Sequence, residues 1–277
     1  MTELETTRRP KRANASAGSS HSERTAAGRV SRPAGSERDN KVALFVTCVV
    51  DAVTPETGVA AVRLLEAAGC AVEFPEAQTC CGQPAVSAGE PEAATRLARH
   101  FVEVFDGYDA VVVPSGSCAA MVHHWYERLL PPEWAERVHA LSTRTYELSQ
   151  YLVDVIGQMD LGARVDTRVT VHDSCHGLRN LGIRDQPRAL LAQAGAAIVE
   201  MEEPETCCGF GGSFSLIHGE VAGPLADAKL RHAAATGAEC VVACDQACLL
   251  HLEGRRRRTG IGPAPVHVAD LLASGLP

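Results

Sequence analysis

The sequence predicts an α/β protein of two pseudo-repeated β-α-β lobes with parallel sheets, its cysteines at the C-terminal ends of the strands. Three observations carry that prediction. Short β-branched runs alternate with segments of helical spacing, an order that calls for parallel strands joined by crossover helices. The alternation occurs twice. The motif Cys80-Cys81-Gly82 also recurs 127 residues later as Cys207-Cys208-Gly209, each copy with one cysteine 32 positions before it (Cys48, Cys175) and another 37 or 40 after it (Cys118, Cys248).

Residues 1–40 carry Ser, Gly, Pro, Arg and Glu but almost no large apolar side chain. They cannot offset the entropy of ordering and are expected to form a disordered N-terminal tail. Glu3, Glu5, Glu23, Glu37 and Asp39 argue against a transit peptide, which is poor in acids. Residues 41–130 are read as the first cysteine-rich lobe. Its β-branched run Val42-Ala-Leu-Phe-Val46 leads into Thr47-Cys48, and Pro55 to Ala68 has helical spacing in Val59, Val62, Leu64 and Leu65. After Gly69 come a strand from Ala71 to Phe74, the pair Cys80-Cys81, a helix over about 89–106 and a strand Ala110-Val-Val-Val113 ending in Pro114-Ser-Gly-Ser-Cys118.

Residues 131–165 look helical, both at Pro131-Pro-Glu-Trp134 and over Thr145 to Val153, and are expected to link the lobes. Residues 166–277 then repeat the order as a second cysteine-rich lobe. Val169-Thr-Val171 leads into Cys175, a helix covers about 185–194, Ala197-Ile-Val199 precedes Cys207-Cys208, a helix covers about 220–235, and Cys240-Val-Val-Ala243 leads to Cys248. Every one of the eight repeated cysteines follows a predicted strand. Open parallel sheets bind ligands beyond the carboxyl ends of their strands, so distant segments can deliver thiolates to one point.

Composition narrows the function. A chain of 277 residues with 45% hydrophobic residues can bury one large core or two modest ones, and the repeat favours two lobes. No stretch approaches the roughly 18 apolar residues of a membrane span, and no apolar signal segment opens the chain. The expectation is a soluble, cytoplasmic protein without a membrane span. Eleven cysteines in a reducing compartment point to metal ligands or redox thiols rather than a disulfide scaffold. A net charge of −8 opposes nucleic-acid binding, which draws its affinity from a basic field. The runs Arg255–Arg258 and Arg8, Arg9, Lys11, Arg12 lack interleaved aromatics and read as solvated charge.

The cysteine pattern points to metal. Cys48, Cys80, Cys81 and Cys118 form one candidate ligand set, and Cys175, Cys207, Cys208 and Cys248 the other. Thiolates are soft donors that suit iron–sulfur clusters, zinc or Cu(I). Structural zinc sites use pairs spaced by two to four residues. Adjacent cysteines in a turn at a helix start can instead touch different atoms of a multi-iron cluster, with the following glycine relieving crowding. This favours one or two iron–sulfur clusters over zinc; spacing leaves their number and type open, and a 4Fe-4S type is the expectation. Aligning the strand ends puts Pro114 opposite Cys244, so Cys244 is an extra candidate ligand that also reads as a half-buried thiol. Cys70 and Cys240, at strand starts, read as core. His123, His124, His172 and His176 flank cysteines and read as hydrogen-bond donors rather than ligands. The Gly209-Phe-Gly-Gly212 loop has neither a G-x-G-x-x-G frame nor a Walker lysine and reads as packing around the cluster loop.

The paired Cys…Cys-Cys-Gly…Cys pattern resembles the cysteine-rich CCG domain of iron–sulfur oxidoreductase subunits, shared with heterodisulfide reductase and with the iron–sulfur subunit of glycolate oxidase. The stretches that carry the resemblance are Leu44 to Asp51, Phe74-Pro-Glu76, Thr79 to Pro84, Pro114 to Cys118, Thr145 to Leu148, Cys207 to Gly212 and Cys248-Leu-Leu, from about residue 41 to the C-terminus. One departure stands out. The heterodisulfide reductase relatives end each motif in a C-x-x-C pair, whereas here the first ends in Cys118 alone and the second in Cys244-x-x-x-Cys248. The resemblance implies a subunit of a three-protein cytoplasmic system that oxidises L-lactate to pyruvate, passing electrons through its cluster to or from a second iron–sulfur protein. A thiol–disulfide reductase subunit and a zinc-stabilised assembly protein are the alternatives the residues leave open. No flavin or nicotinamide site and no catalytic residue can be assigned.

Overall fold

The computed structural model describes residues 41–277, so the expected tail at 1–40 lies outside the described residues. The first half runs β1 (Lys41–Leu44), α1 (Cys48–Val53), α2 (Pro55–Ala67), β2 (Ala71–Glu73), α3 (Gln83–Ser87), α4 (Pro91–Phe105), β3 (Ala110–Val113), α5 (Gly116–Leu129), α6 (Ala135–Ser142), β4 (Thr145–Glu147) and α7 (Leu148–Gln150). The second runs β5 (Arg168–Val171), α8 (Cys175–Leu181), α9 (Asp185–Gln193), β6 (Ala197–Ile198), α10 (Phe214–Ile217), α11 (Gly219–Ala235), β7 (Cys240–Ala243), α12 (Gln246–Thr259), β8 (Ala264–His267) and α13 (Val268–Ser274). Two four-stranded sheets result, in the orders β2-β1-β3-β4 and β6-β5-β7-β8, and every pairing is parallel.

The central strands explain why the sheets are parallel and covered. Val42, Ala43 and Leu44 of β1 are all buried, as are all four residues of β3 and of β7. Side chains on both faces of these strands therefore need helices above and below. One large core joins the halves: Val42, Leu44 and Leu64 pack in the same cluster as Val169, Leu190 and Leu272. Thr57 of α2 donates a hydrogen bond to Asp270 Oδ2 of α13 at 2.9 Å across the same junction.

The segment read as a helical linker is only partly helical. Thr145–Glu147 is a strand, paired with β3 in the register Val113↔Glu147. Thr145 and Tyr146 favour extended backbone, and the edge of β3 offers unpaired groups to them. The helical spacing starts only at Leu148, and a π turn over Tyr151–Ile156 follows α7. In the second half, β8 takes the equivalent place beside β7. Among the described residues no helix is long and apolar enough to cross a membrane.

The strand order places the site. It reverses between β1 and β3, and again between β5 and β7, so the chains leaving those carboxyl ends diverge and leave a crevice. Cys48 and Cys118 stand in the first crevice, Cys175 and Cys248 in the second. The crevices adjoin: Ser115 and Asp245 form an antiparallel bridge, and Gly116 N donates to Cys244 O at 3.2 Å.

Candidate metal centre

In the first lobe the thiols of Cys48 and Cys80 lie 3.4 Å apart, and those of Cys81 and Cys118 3.3 Å apart. Cys48 opens α1, Cys118 sits in the first turn of α5, and the adjacent pair occupies the loop before α3. Gln78 holds that loop in place: its amide accepts from Val46 N at 2.9 Å and donates to Leu44 O at 3.1 Å, extending β1 by a side-chain substitute for a strand. Gly82, at φ 92°, turns the chain out of the pair, and its N–H points to Cys80 Sγ at 3.4 Å. Thr47 takes φ 74°, a conformation left mostly to glycine, immediately before Cys48.

The second lobe repeats the plan. Cys175 pairs with Cys207, and Cys208 with Cys248. Gly209, at φ 91°, is the counterpart of Gly82, and its N–H lies 3.3 Å from Cys207 Sγ. Phe210 N adds a contact to Cys208 Sγ at 3.5 Å. In both sets one thiol of the adjacent pair has its pKa depressed by its neighbours. Hydrogen bonding from Cys48 lowers Cys80, and from Cys175 lowers Cys207, while Cys48, Cys81, Cys175 and Cys208 are raised. Four crowded thiols can carry little negative charge by themselves. A cation among them would change that, drawing off the remaining protons as it binds.

The model of the cysteine-rich domain family matches residues 42–123 and 169–253, one copy for each thiol set. Lactate utilization protein A 2 of Bacillus cereus (strain 03BB102) is 40% identical over 239 residues, covering 85% of this chain and 99% of that protein. Lactate utilization protein A 1 of Bacillus mycoides (strain KBAB4) is 41% identical over 235 residues, covering 84% and 96%. The chain belongs to the lactate utilization protein A family. The likeness extends over nearly the whole length of both relatives.

Within this family member the two sets are backed by different walls. Phe45, three residues before Cys48, meets Phe101 at 4.9 Å and Phe105 at 5.6 Å between ring centroids, and Phe101 meets Tyr126 at 5.3 Å. Tyr126 donates to Cys81 O at 3.0 Å. Three residues before Cys175 stands His172 instead. Gly82 has Ala94 O as its nearest neighbour and Gly209 has Ala222 O, which makes Ala94 and Ala222 equivalent; seven residues further, Phe101 is matched by Lys229. An aromatic wall has become a basic one. Lys229 is 2% exposed, donates to Pro204 O at 3.1 Å, and is pushed down to about 8 by burial. Pro204 O also accepts from Asp173 N at 3.1 Å and from His172 Nδ1 at 3.3 Å.

Not every cysteine singled out by sequence joins a set. Cys244 is buried in the core shared by the lobes; its hydroxyl neighbour is Ser149, 3.9 Å away, and its charged neighbours are Glu147, Asp245 and Asp173 rather than thiols. It lies in the turn between β7 and α12 and packs in the shared core, whereas Cys248 packs with Cys208. Cys70 and Cys240 lie in the same shared core. His123 and His124 bond the backbone carbonyls of Thr145 and Asn180, away from sulfur. His176 Nδ1 is 3.9 Å from Cys175 Sγ, and His172 lies with Cys208 and Cys248 in one buried group whose donor atoms are within 4.8 Å of one another.

Two features escaped sequence reasoning. Asp245, equivalent to the capping residue Ser115, does not cap its own helix; its Oδ2 accepts from Ser117 N at 2.8 Å and from Ser115 Oγ at 3.4 Å in the other lobe. A cavity of about 320 Å³ lies at this seam, bounded by Cys48, Cys81 and Cys118 on one side and by Phe210, Leu216 and Asp245 on the other. A second, of about 480 Å³, reaches Cys48 and Cys80 from the side of Asp51 and Gln78. The aligned motif ends place Asp245 opposite Ser115, which was the available signal.

Proposed function

We propose that the chain is the iron–sulfur electron-transfer subunit of a cytoplasmic oxidoreductase complex that oxidises L-lactate to pyruvate. Cys48, Cys80, Cys81 and Cys118 would hold one cluster, and Cys175, Cys207, Cys208 and Cys248 another. The observation that carries this reading is the convergence of two four-thiol sets at matched strand ends, with S···S separations of 3.3 and 3.4 Å in the first. Bound clusters would supply one-electron storage at both sites. The chain's own groups prepare for that charge: the N–H groups of Gly82, Gly209 and Phe210 point at sulfur, and burial limits water around it. Two sets of four thiols held as metal ligands accord with a reducing compartment.

The substrate enters through the relatives, whose names state lactate utilization. Among the described residues no group is arranged to take two electrons from a 2-hydroxy acid, so a partner carrying that chemistry, together with a second iron–sulfur protein, completes the unit. Anaerobically prepared protein is expected to contain iron and acid-labile sulfide and to lose its visible absorption on dithionite reduction. Stoichiometric zinc without sulfide rejects the reading. Lactate-dependent dye reduction is expected only with the partner subunits present; turnover by the isolated chain would reject the relay role.

A further inference from the structure

We propose that His172 supplies a nitrogen ligand to the metal site of the second lobe, so that imidazole joins thiolate there while the first site is bound by thiolate alone. The inference deepens the iron–sulfur reading above and rests on it. Its first support is position. His172, Cys208 and Cys248 are all buried, and one donor atom from each falls in a group no wider than 4.8 Å. The second is an unpaired atom. His172 is 2% exposed, yet its Nε2 is buried without a hydrogen-bond partner.

The tautomer follows from the other nitrogen. Nδ1 faces Pro204 O at 3.3 Å, and a carbonyl oxygen only accepts, so Nδ1 carries the proton and Nε2 presents its lone pair. That is the arrangement of a ligating histidine, whose second ring nitrogen donates to a backbone carbonyl that fixes the ring. The carbonyl is itself fixed, by Asp173 N and Lys229 Nζ at 3.1 Å each. A buried ring nitrogen left empty costs stability, and among the described residues none donates to it. The first lobe lacks the feature entirely, because Phe45 occupies the equivalent position with no donor atom.

A neutral imidazole adds no negative charge to the second site, whereas a further thiolate at the same position would add one and lower the reduction potential. The test uses the full chain, prepared anaerobically with natural-abundance or ¹⁵N-labelled histidine, its iron and sulfide measured in each sample. The second-lobe signal is identified as the one that Cys207→Ser with Cys208→Ser abolishes. Pulsed EPR of that signal is expected to show a histidine nitrogen coupling that changes isotope with the label and disappears in His172→Phe. His172→Cys, which puts a further thiolate in place of the imidazole, is expected to lower the midpoint by a tenfold shift in the one-electron equilibrium, about 59 mV. If His172→Phe does not fold, loss of the coupling in His172→Cys decides instead, because His176 Nδ1 lies 3.9 Å from Cys175 Sγ and carries the same label. Iron-loaded protein with no histidine coupling, or with coupling that survives His172→Phe, overturns this proposal and leaves the iron–sulfur reading standing. Iron-free protein overturns both.

Discussion

The two thiol sets stand on the same strand ends, yet one is walled by Phe45, Phe101 and Tyr126 and the other by His172 and Lys229. Thiol spacing is held by the fold, because strand ends and helix starts bring four cysteines together in each lobe. The residues behind them are free to differ as long as the space is filled. A neutral aromatic wall leaves the charge of the first set uncompensated, whereas a buried ammonium beside Cys207 and Cys208 offsets it. Duplication with unequal walls is a route to two centres of different potential in one chain.

The comparison breaks most directly at the ligands. Cys80→Ser with Cys81→Ser, and Cys207→Ser with Cys208→Ser, should each remove about half of the bound iron and a different EPR signal, since each pair serves one site. Loss of all iron from either double variant would mean one shared centre at the seam. Next come the walls themselves. Phe101 is 3% exposed and touches three aromatic rings, so Phe101→Ala should cost about 3–5 kcal/mol in chemical denaturation. Lys229→Met in the second lobe should leave the metal-free fold about as stable, because a buried cation is replaced by an apolar chain of similar length. It should instead lower the midpoint of the second signal and leave the first unmoved, as read by redox titration.

How much of this was legible in the sequence depends on where the decisive contact lies. β1, β3 and β7 announce themselves because a strand buried on both faces needs a near-continuous apolar run, and β5 departs from it only where Thr170 stands between Val169 and Val171. The thiol ruler is equally local. β4 and β8 are three and four residues long, and Pro265 interrupts the second, so neither has a pattern to read. Lys229 sits in a 17-residue helix whose sequence gives no sign that this turn faces the loop at Glu203 and Pro204. Cys244 precedes Cys248 by one helical turn in sequence, but it lies in the turn before α12 begins, and the two thiols pack in different clusters. Charge burial and inter-segment contact, unlike periodicity, are properties of the assembled chain.

The fourth strands offer a subtler contrast. Glu147 and His267 end β4 and β8 opposite Val113 and Ala243, and each caps the helix that follows. Burial raises Glu147 to about 7 and lowers His267 to about 4. The folded state therefore binds a proton at Glu147 that the unfolded chain releases, so stability from this group is full below about 4.5 and is lost as pH rises through 7. His267 acts oppositely: its contribution is full above about 6.5 and is lost as pH falls through 4. Over the shared window the slopes cancel. Glu147→Gln should expose a stability that rises with pH across that window, and His267→Gln one that falls, each on the order of 2–3 kcal/mol in urea melts. Flat profiles in both variants would mean that neither group is held neutral by the fold.

The smallest expected difference lies in the turns behind the cysteine pairs. Gly82 and Gly209 have nearly the same φ, 92° and 91°, so placing a side chain on either costs the same backbone strain, about 1 kcal/mol. Their surroundings are not the same. A Cβ at Gly82 would meet Ala94 O at 3.5 Å, an ordinary contact, whereas at Gly209 it would meet Ala222 O at 2.5 Å and Leu225 Cβ at 3.1 Å. A backbone oxygen in a helix cannot step aside as a side chain can. Gly209→Ala must push α11 away from the loop that carries Cys207 and Cys208, adding about 1–2 kcal/mol to the shared cost. Gly82→Ala should thus lose about 1 kcal/mol and keep its iron, while Gly209→Ala loses two to three times as much and binds iron less tightly at the second site alone. Equal losses in the two variants would show that the second loop can shift as freely as the first, and that its tighter packing is not what positions its thiols.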